Sequence, residues 1–446
     1  MAAWPSTLLR ALADHGHDGL TIIANSVGYG PYSPQVLAER GLVACFIGSF
    51  GGHTGIPTAM EQQIVAGDVR YEIVPQGTLV ERIRAAGAGI AGFYTPTGVG
   101  TVAESGDAGY SPKEVRDFDG RPHLFERALR ADVALLRADV ADEAGNCRFE
   151  GTTRNFQPAM ATAAATVIVQ AERVVATGEL GPEDVHLPGI FVDAVVKAEI
   201  LRAEIVAEEL ARGRDPLKGA ARGSVIQGNP RDLMALRVAR MIADYDAVNL
   251  GVGMPTLVGR WLGEIGAGVT LHAENGILGF RGLEDVEGWN PSYFDAGSLP
   301  IEPVPGTALF DSVAAFTMAR GGHLDAVVLG AYEVSEHGDL ANWSRPGVGA
   351  GRIGGAMDLL AGGAEVIVLM EHTTSDGRPR ILEECSLPLT GRRCVSTIVT
   401  NLAVIDVTPD GLALREISAG VSPQEVIAAT GCPIAVPDDP PTVAFA

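Results

Sequence analysis

This chain carries its pattern twice. VPQGTLVERIRAAGAGI (74–90) is echoed by VPGTALFDSVAAFTMARGG (304–322), and DGLTIIANSVGYG (18–30) by GVTLHAENGILGF (268–280). ADVALLRADVADEAGNCRFEG (131–151) is echoed by LDAVVLGAYEVSEHGDLANW (324–343). Around these pairs, short β-branched runs such as LVACFIGSF, ATVIVQAERVV and EVIVLMEHT alternate with Ala/Leu/Arg stretches and Gly-rich turns. Alternating strand and helix signals predict open α/β sheets with helices on their faces. Duplication at this scale predicts two related α/β domains. The boundaries follow from composition: a first domain over 1–208, a polar Gly/Pro-punctuated linker, ELARGRDPLKGAARGSVIQGNP, over 209–230, and a second domain over 231–446.

The two copies differ in two places. Laying TIIANSVGYG on TLHAENGILGF sets Asn25 opposite Glu274, so a carboxylate at this strand end belongs to the second copy alone. Likewise GVGMPTLVGRWL (251–262) aligns with AAWPSTLLRAL (2–12). In the second copy a helix and strand, LRVARMIADYDAVNL, precede that motif, and nothing precedes it in the first. The expectation is a first domain lacking a central strand, with a sheet edge or groove left unfilled.

Formal net charge is −22 at pH 7, spread along the chain, which argues against nucleic acid or an anionic membrane surface as partner. Cys45, Cys147, Cys385, Cys394 and Cys432 are an odd set without paired short spacing, expected as reduced thiols in a reducing compartment. No run reaches the roughly 18 apolar residues of a membrane span, and MAAWPSTLLRALADHG lacks a signal-peptide pattern, so the expected location is cytoplasmic.

Chemistry concentrates at strand ends of the second copy. In AVNLGVGMP a strand runs into Gly251 and Gly253, with a helix expected from about Thr256; glycine turns there bring backbone N–H groups and a helix N-terminus toward an anion. Glu274 ends the next strand, where ligands of open α/β sheets bind. From its own residues it is either a solvated loop acid or a carboxylate held for chemistry. His272, two residues earlier, shares its face and reads as a core or sheet-facing imidazole. Asn275 and Gly276 fit a turn needing positive φ. RIGGAMDLL supplies a second glycine pair, Gly354 and Gly355, opening a helix with Asp358 in its first turn. Asn342 ends the strand of GDLANW, and His372 and Thr373 are expected to line a crevice. No Gly-x-Ser-x-Gly elbow, His-Glu-x-x-His or Walker loop is present, and Cys385 reads as inert.

Together NLGVGMPTLV, LHAENGILGF, GDLANW, GGAMDLLAG and ILEECSLPLTG, with TPTGVGTVAE and RADVALLRADVADEAGNCRFEGTTRNFQP in the first copy, resemble the family I coenzyme A transferases of the 3-oxoacid type, with A-like and B-like halves fused. The resemblance implies NagB/RpiA-type sheets and CoA transfer from an acyl-CoA such as succinyl-CoA to a 3-oxoacid such as acetoacetate or 3-oxoadipate. It implies Glu274 as nucleophile, passing through a glutamyl-CoA thioester. Gly251, Gly253, Asn275, Gly276, Asn342, Gly354 and Gly355 would contact CoA, and Gln76 and Asn155 the carboxylate substrate. No metal or organic prosthetic group is implied, and a homo-oligomer, a dimer, is. Two departures stand out: Ala273 replaces the family's serine before the glutamate, and the Gly-Gly-Phe segment of the A-type half is not found. An acyl-CoA hydrolase on this scaffold and an inactive CoA-binding protein are the alternatives.

Overall fold

The computed structural model describes residues 4–52, 57–106, 111–211, 229–283, 289–347 and 349–443. In the second half one large sheet forms the frame. Its order runs Ile301–Leu309, Ile277–Gly282, Thr270–Ala273, Ala247–Leu250, Ala326–Leu329, Glu365–Leu369, Thr397–Val399, Ala403–Thr408, Gly411–Ser418 and Ile434–Ala435, with Thr442–Val443 also paired to Gly411–Ser418. The pairings from Thr270–Ala273 through Thr397–Val399 are parallel, and antiparallel strands close both flanks. Strands buried on both faces read as unbroken apolar runs, and AVVL and EVIVL are such runs. Alternation then sorts their side chains into two cores. Val327, Leu329, Val366 and Val368 pack on one face; Ala326, Val328, Ile367 and Leu369 pack on the other, under helices Pro230–Met241 and Thr256–Glu264.

The first half repeats the elements without the continuous sheet. Leu20–Ile23, Val43–Gly48 and Arg70–Ile73 form a parallel three-stranded sheet. A separate sheet orders Ala194–Lys197, Ala164–Val175, Ala131–Asp142 and Cys147–Arg148. By the repeat, Leu20–Ile23 matches Thr270–Ala273, and Ala131–Asp142 matches Ala326–Leu329. Ala247–Leu250 hydrogen-bonds to both partners in the second half. Among the described residues no strand pairs with Leu20–Ile23 other than Val43–Gly48, and none joins it to Ala131–Asp142. One amide at this strand, Arg137 N–H, instead donates to Gln157 Oε1 at 3.2 Å. Helices Ser6–His15 and Thr256–Glu264, equivalent in the repeat, both start directly after a proline, Pro5 and Pro255.

The linker expected at 209–230 lies outside the described residues over 212–228. Its first residues instead close the helix Arg202–Ala211, and Pro230 opens the helix Pro230–Met241. The two halves meet along helices Gln76–Gly87 and Ser312–Arg320, themselves repeat equivalents. Gly77 permits this approach: a Cβ there would lie 2.5 Å from the Phe316 ring.

Candidate functional site

Glu274 follows the last residue of the strand Thr270–Ala273 and is 7% exposed, so it is not a solvated loop acid. The turn after it depends on Gly276, whose φ is 114° and where a Cβ would meet Phe310 O at 2.1 Å. Asn249, in the middle of the neighbouring strand, faces the carboxylate. Its Nδ2 donates to Glu274 Oε2 at 3.4 Å and lies 3.0 Å from His272 Nδ1. Burial holds the Glu274 carboxyl above the usual glutamate range; its own backbone N–H and Asn249 pull it down, and the charge of Asp358 pushes it up. His272 is buried, and desolvation lowers it to about 4, leaving a neutral core imidazole as expected.

A second carboxyl stands close by. Asn275 Nδ2 donates to Phe294 O at 2.7 Å, which fixes the turn carrying Asp295 beside Glu274. Leu299 N–H donates to Asp295 Oδ1 at 2.8 Å. The residue as a whole keeps some exposure, but its carboxyl group is enclosed by protein, and that enclosure is what governs its proton. Enclosure, reinforced by the charge of Glu274, raises Asp295 to about 7.

Glycine turns from the second half close the site against the first. Gly355 presses its backbone on Glu274: a Cβ there would be 3.2 Å from Glu274 Oε1 and 3.1 Å from the Phe316 ring. Gly354, at φ 53°, leaves room for Phe50 of the first half, and Gln76 N–H donates to Gly354 O at 2.8 Å. Ile353 N–H donates to Ser49 O at 3.0 Å, and Gly51 N–H to Gly351 O at 3.2 Å. Asp358 is fully buried at this seam. It accepts from Gly77 N–H at 2.8 Å, Thr78 Oγ1 at 2.9 Å and Thr97 Oγ1 at 3.3 Å, all in the first half, and from Arg320 Nη1 at 3.2 Å. The sequence reading gave Asp358 only the role of a helix-start acid; the structure makes it the joint between the halves.

The other candidates are placed as follows. Gly251 spends its N–H on Val328 O at 2.8 Å, whereas Gly253, at φ 95°, turns the chain at an exposed tip. Asn342 is a loop fastener: its Nδ2 donates to Gly330 O at 3.1 Å and its Oδ1 accepts from Thr390 Oγ1 at 2.7 Å. Asn155, at φ 24°, uses its Oδ1 on Phe156 N–H at 2.6 Å, while its carbonyl accepts Ser312 N–H at 3.0 Å across the seam. His372 does not line a crevice. It is fully buried, its ring nitrogens within 2.9 Å of Thr400 Oγ1 and 3.0 Å of Thr430 Oγ1, and desolvation lowers it to about 4. Burial raises the Cys385 thiol to about 12, so it is inert as expected.

Asn249, Asp295 and the seam role of Asp358 were missed from sequence. Asn249 had a signal, a lone amide in the apolar strand AVNL, since buried amides need partners. Asp295 lies in a segment without periodicity and had none. Among the described residues no group of three or more His, Cys, Asp or Glu side chains is placed to share a metal ion.

An enclosed carboxylate thus stands at a strand end, packed against glycine backbone at the seam of two α/β units. The coenzyme A transferase family matches residues 1–198 and 231–429, and the chain belongs to that family: it is a CoA-transferase with fused A-like and B-like halves. It is 40% identical over 442 residues to the succinyl-CoA:3-ketoacid coenzyme A transferase 2A, mitochondrial, of Rattus norvegicus, covering 96% of this chain and 83% of that one. To one subunit of the 3-oxoadipate CoA-transferase of Pseudomonas putida it is 44% identical over 205 residues, 46% of this chain and 95% of that polypeptide. Its fold is shared with the acyl-CoA transferase YdiF of Escherichia coli O157:H7, at TM-score 0.77 and 22% identity over 98% of this chain and 89% of the other.

Proposed function

We propose that the chain transfers CoA from an acyl-CoA such as succinyl-CoA to a 3-oxoacid through a covalent intermediate on Glu274. The observation that carries this is Glu274 itself, enclosed and backed by Gly355. The relatives named for succinyl-CoA:3-ketoacid and 3-oxoadipate transfer support the substrate class.

Glu274 Oε attacks the thioester carbonyl, the C–S bond breaks, and an acyl-glutamyl anhydride and CoA thiolate form. The thiolate attacks the glutamyl carbonyl, releasing the carboxylate product and leaving a glutamyl-CoA thioester. The acceptor carboxylate then attacks that thioester, and the two steps run in reverse to give the new acyl-CoA and free Glu274. No proton is gained or lost across the cycle, so the glutamate needs only to be ionised and positioned. A carboxylate is a weak nucleophile in water, and its desolvation and fixed approach to the carbonyl supply the activation. Each tetrahedral oxyanion is served by backbone donors of the glycine turns. In this reading Gly251, Gly253, Asn275, Gly276, Asn342, Gly354 and Gly355 hold CoA, directly or by fixing the turns that do. Gln76 and Asn155 border the acceptor carboxylate, and no metal or prosthetic group takes part.

Incubation with acyl-CoA alone, borohydride reduction and peptide mass spectrometry tests the mechanism. The expected result is a mass change confined to the Glu274 peptide; an unchanged peptide rejects covalent catalysis. CoA release that ignores the acceptor acid would identify a hydrolase instead. No described helix is long and apolar enough to cross a membrane. We keep a cytoplasmic, homo-oligomeric enzyme as part of the proposal, to be tested by fractionation and light scattering.

A further inference from the structure

The connection from Asn290 to Pro300 touches three parts of the site. At its start it joins the first half: Ser292 O accepts Thr152 N–H at 2.9 Å and Thr152 Oγ1 at 3.1 Å, and Asn155 Nδ2 donates to Thr152 O at 3.4 Å. In its middle, Asn275 Nδ2 holds Phe294 O, while Tyr293 and Ala296 pack on the small apolar cluster of Ala273, Ile277 and Ile301. The chain neighbours of Asp295, Phe294 and Ala296, are thus anchored to Asn275 and to the cluster of Ala273, the chain neighbours of Glu274. Further along, a Cβ at Gly297 would lie 3.5 Å from Val252 Cγ1, in the turn between Gly251 and Gly253.

Asp295 is the single charged residue of this connection, and the turn closes on it. Asp295 N–H donates to Leu299 O at 2.9 Å, Ser298 N–H to Asp295 O at 3.0 Å, and Leu299 N–H to Asp295 Oδ1 at 2.8 Å. The carboxyl is thereby immobilised beside Glu274, whose charge acts on it. Among the described residues, the charged groups on the surrounding elements are committed elsewhere. Arg202 contacts Ser292 Oγ and pairs with Asp139, and Glu150 accepts from Asn290 Nδ2 at 2.9 Å. Arg281 pairs with Glu302 at 2.6 Å, and Asp358, whose charge acts on Glu274, pairs with Arg320 at 3.2 Å. His272 is a neutral imidazole. Each of these arginines thus has an acid other than Asp295 or Glu274.

Two enclosed carboxyls side by side resist ionising together, and enclosure keeps the proton on Asp295 up to about pH 7. What that proton does depends on the state of Glu274. In the free enzyme Glu274 is the attacking carboxylate. As a glutamyl-CoA thioester it is neutral, and the next substrate is an anion, the acceptor carboxylate, which has to reach the same carbonyl carbon. A protonated Asp295 is neutral toward that anion. An ionised Asp295 is a like charge in an enclosed site and opposes its entry.

We propose that Asp295 is a charge filter for the acceptor acid: with its proton it admits a carboxylate to the glutamyl-CoA thioester, and without it the ionised side chain turns that carboxylate away. Asp295 acts through its charge and takes no part in bond making. This rests on the CoA-transfer reading above. The kcat/KM for acetoacetate, a monoanion throughout the range used, belongs to the thioester form, in which Glu274 does not titrate. In the parent it should fall by at least about tenfold from pH 5 to pH 8, whereas D295N should be flat and exceed the parent by about tenfold or more at pH 8. A gain at high pH is not what a merely structural lesion produces. A parent profile without the fall, the same fall in D295N, or a D295N impaired toward acetoacetate at every pH overturns the proposal. An equal gain at pH 8 in kcat/KM for the acyl-CoA would put the effect on the attack by Glu274, and overturns it too. Calorimetry on E274Q, neutral at this position like the thioester, is independent of turnover: acetoacetate should bind at least about tenfold more weakly at pH 8 than at pH 5, and E274Q/D295N should bind it equally at both. Binding to E274Q that ignores pH, or no binding at either pH, overturns the filter even where the parent transfers CoA. If the parent transfers no CoA yet E274Q shows the Asp295-dependent binding, the transfer reading fails and the filter stands.

Discussion

The two halves share a pattern and divide the labour. In the second half the strand Ala247–Leu250 lies between Thr270–Ala273 and Ala326–Leu329, and it brings Asn249 to Glu274. At the repeat-equivalent place in the first half no described strand is present, and Asn25, the repeat counterpart of Glu274, has a buried Oδ1 without a partner. The strand that completes a sheet is thus also the one that carries the amide supporting the acid. The first half contributes elsewhere: Ser49, Gln76, Gly77 and Thr78 hold the second half's glycine turns from across the seam. The pattern is shared, but the enclosed carboxylate of Glu274 and the Asn249 amide that reaches it belong to the second half.

Removing the acid tests this most severely. E274Q should lower kcat by on the order of 10⁴-fold while the fold persists. The same change should stabilise the protein. A buried carboxyl whose folded pKa is raised loses stability as pH rises through that pKa, so the melting-temperature gain of E274Q over the parent should be larger at pH 8 than at pH 5. A gain that shrinks with rising pH would mean that Glu274 is stabilised as a carboxylate, against the burial argument.

Hydrogen exchange probes the sheet difference directly. Ala326–Leu329 is paired on both edges, and its amides should exchange only on opening of the core. In Ala131–Asp142 the edge turned away from Ala164–Val175 is paired, among the described residues, only from Val140 to Asp142. A subset of amides between Ala131 and Asp139 should therefore exchange at least about 10²-fold faster than those of Ala326–Leu329. Equal protection would show that this edge is covered in solution.

The joint between the halves ranks next. D358N keeps the shape but weakens four hydrogen bonds and leaves Arg320 only Glu81, at 3.8 Å, as a counter-charge, at a cost of about 2–4 kcal/mol seen in denaturant unfolding. It also removes a negative charge that raises Glu274, so the acid limb of the pH–rate profile should move to lower pH. Loss of stability with an unmoved limb would make Asp358 purely a fastener.

Sequence made the frame legible because parallel strands buried on both faces have to be apolar runs, and AVVL and EVIVL show that without any structure. It made Glu274 legible by contrast, since the repeat placed an amide where the acid stands. It did not reveal who touches whom across the seam. Asp358 looked like any acid in a first helical turn, and only the packing of Gly77 and Thr78 against it shows its use. His372 failed for a related reason: a strand end in the second half can point into the core as readily as into the crevice, and Thr400 and Thr430, which bond its ring, lie far along the chain.

Asp295 adds a second titrating carboxyl beside Glu274 in the second half. Its folded pKa of about 7 lies above the ordinary aspartate value of 3.8. Between those values the folded state holds a proton that the unfolded chain has released, so stability falls as pH rises through that window, by about 4 kcal/mol at the very most. In D295N the amide oxygen can still accept from Leu299 N–H, and the slope should vanish: the stability difference between variant and parent should grow from near zero at pH 4 to its full size above pH 7. Part of the elevation comes from the charge of Glu274, so in an E274Q background the same window should contract toward lower pH. An identical slope in parent and D295N would place the proton elsewhere. A window that ignores E274Q would separate the two carboxyls electrostatically, leaving Glu274 as the sole titrating partner in its own site.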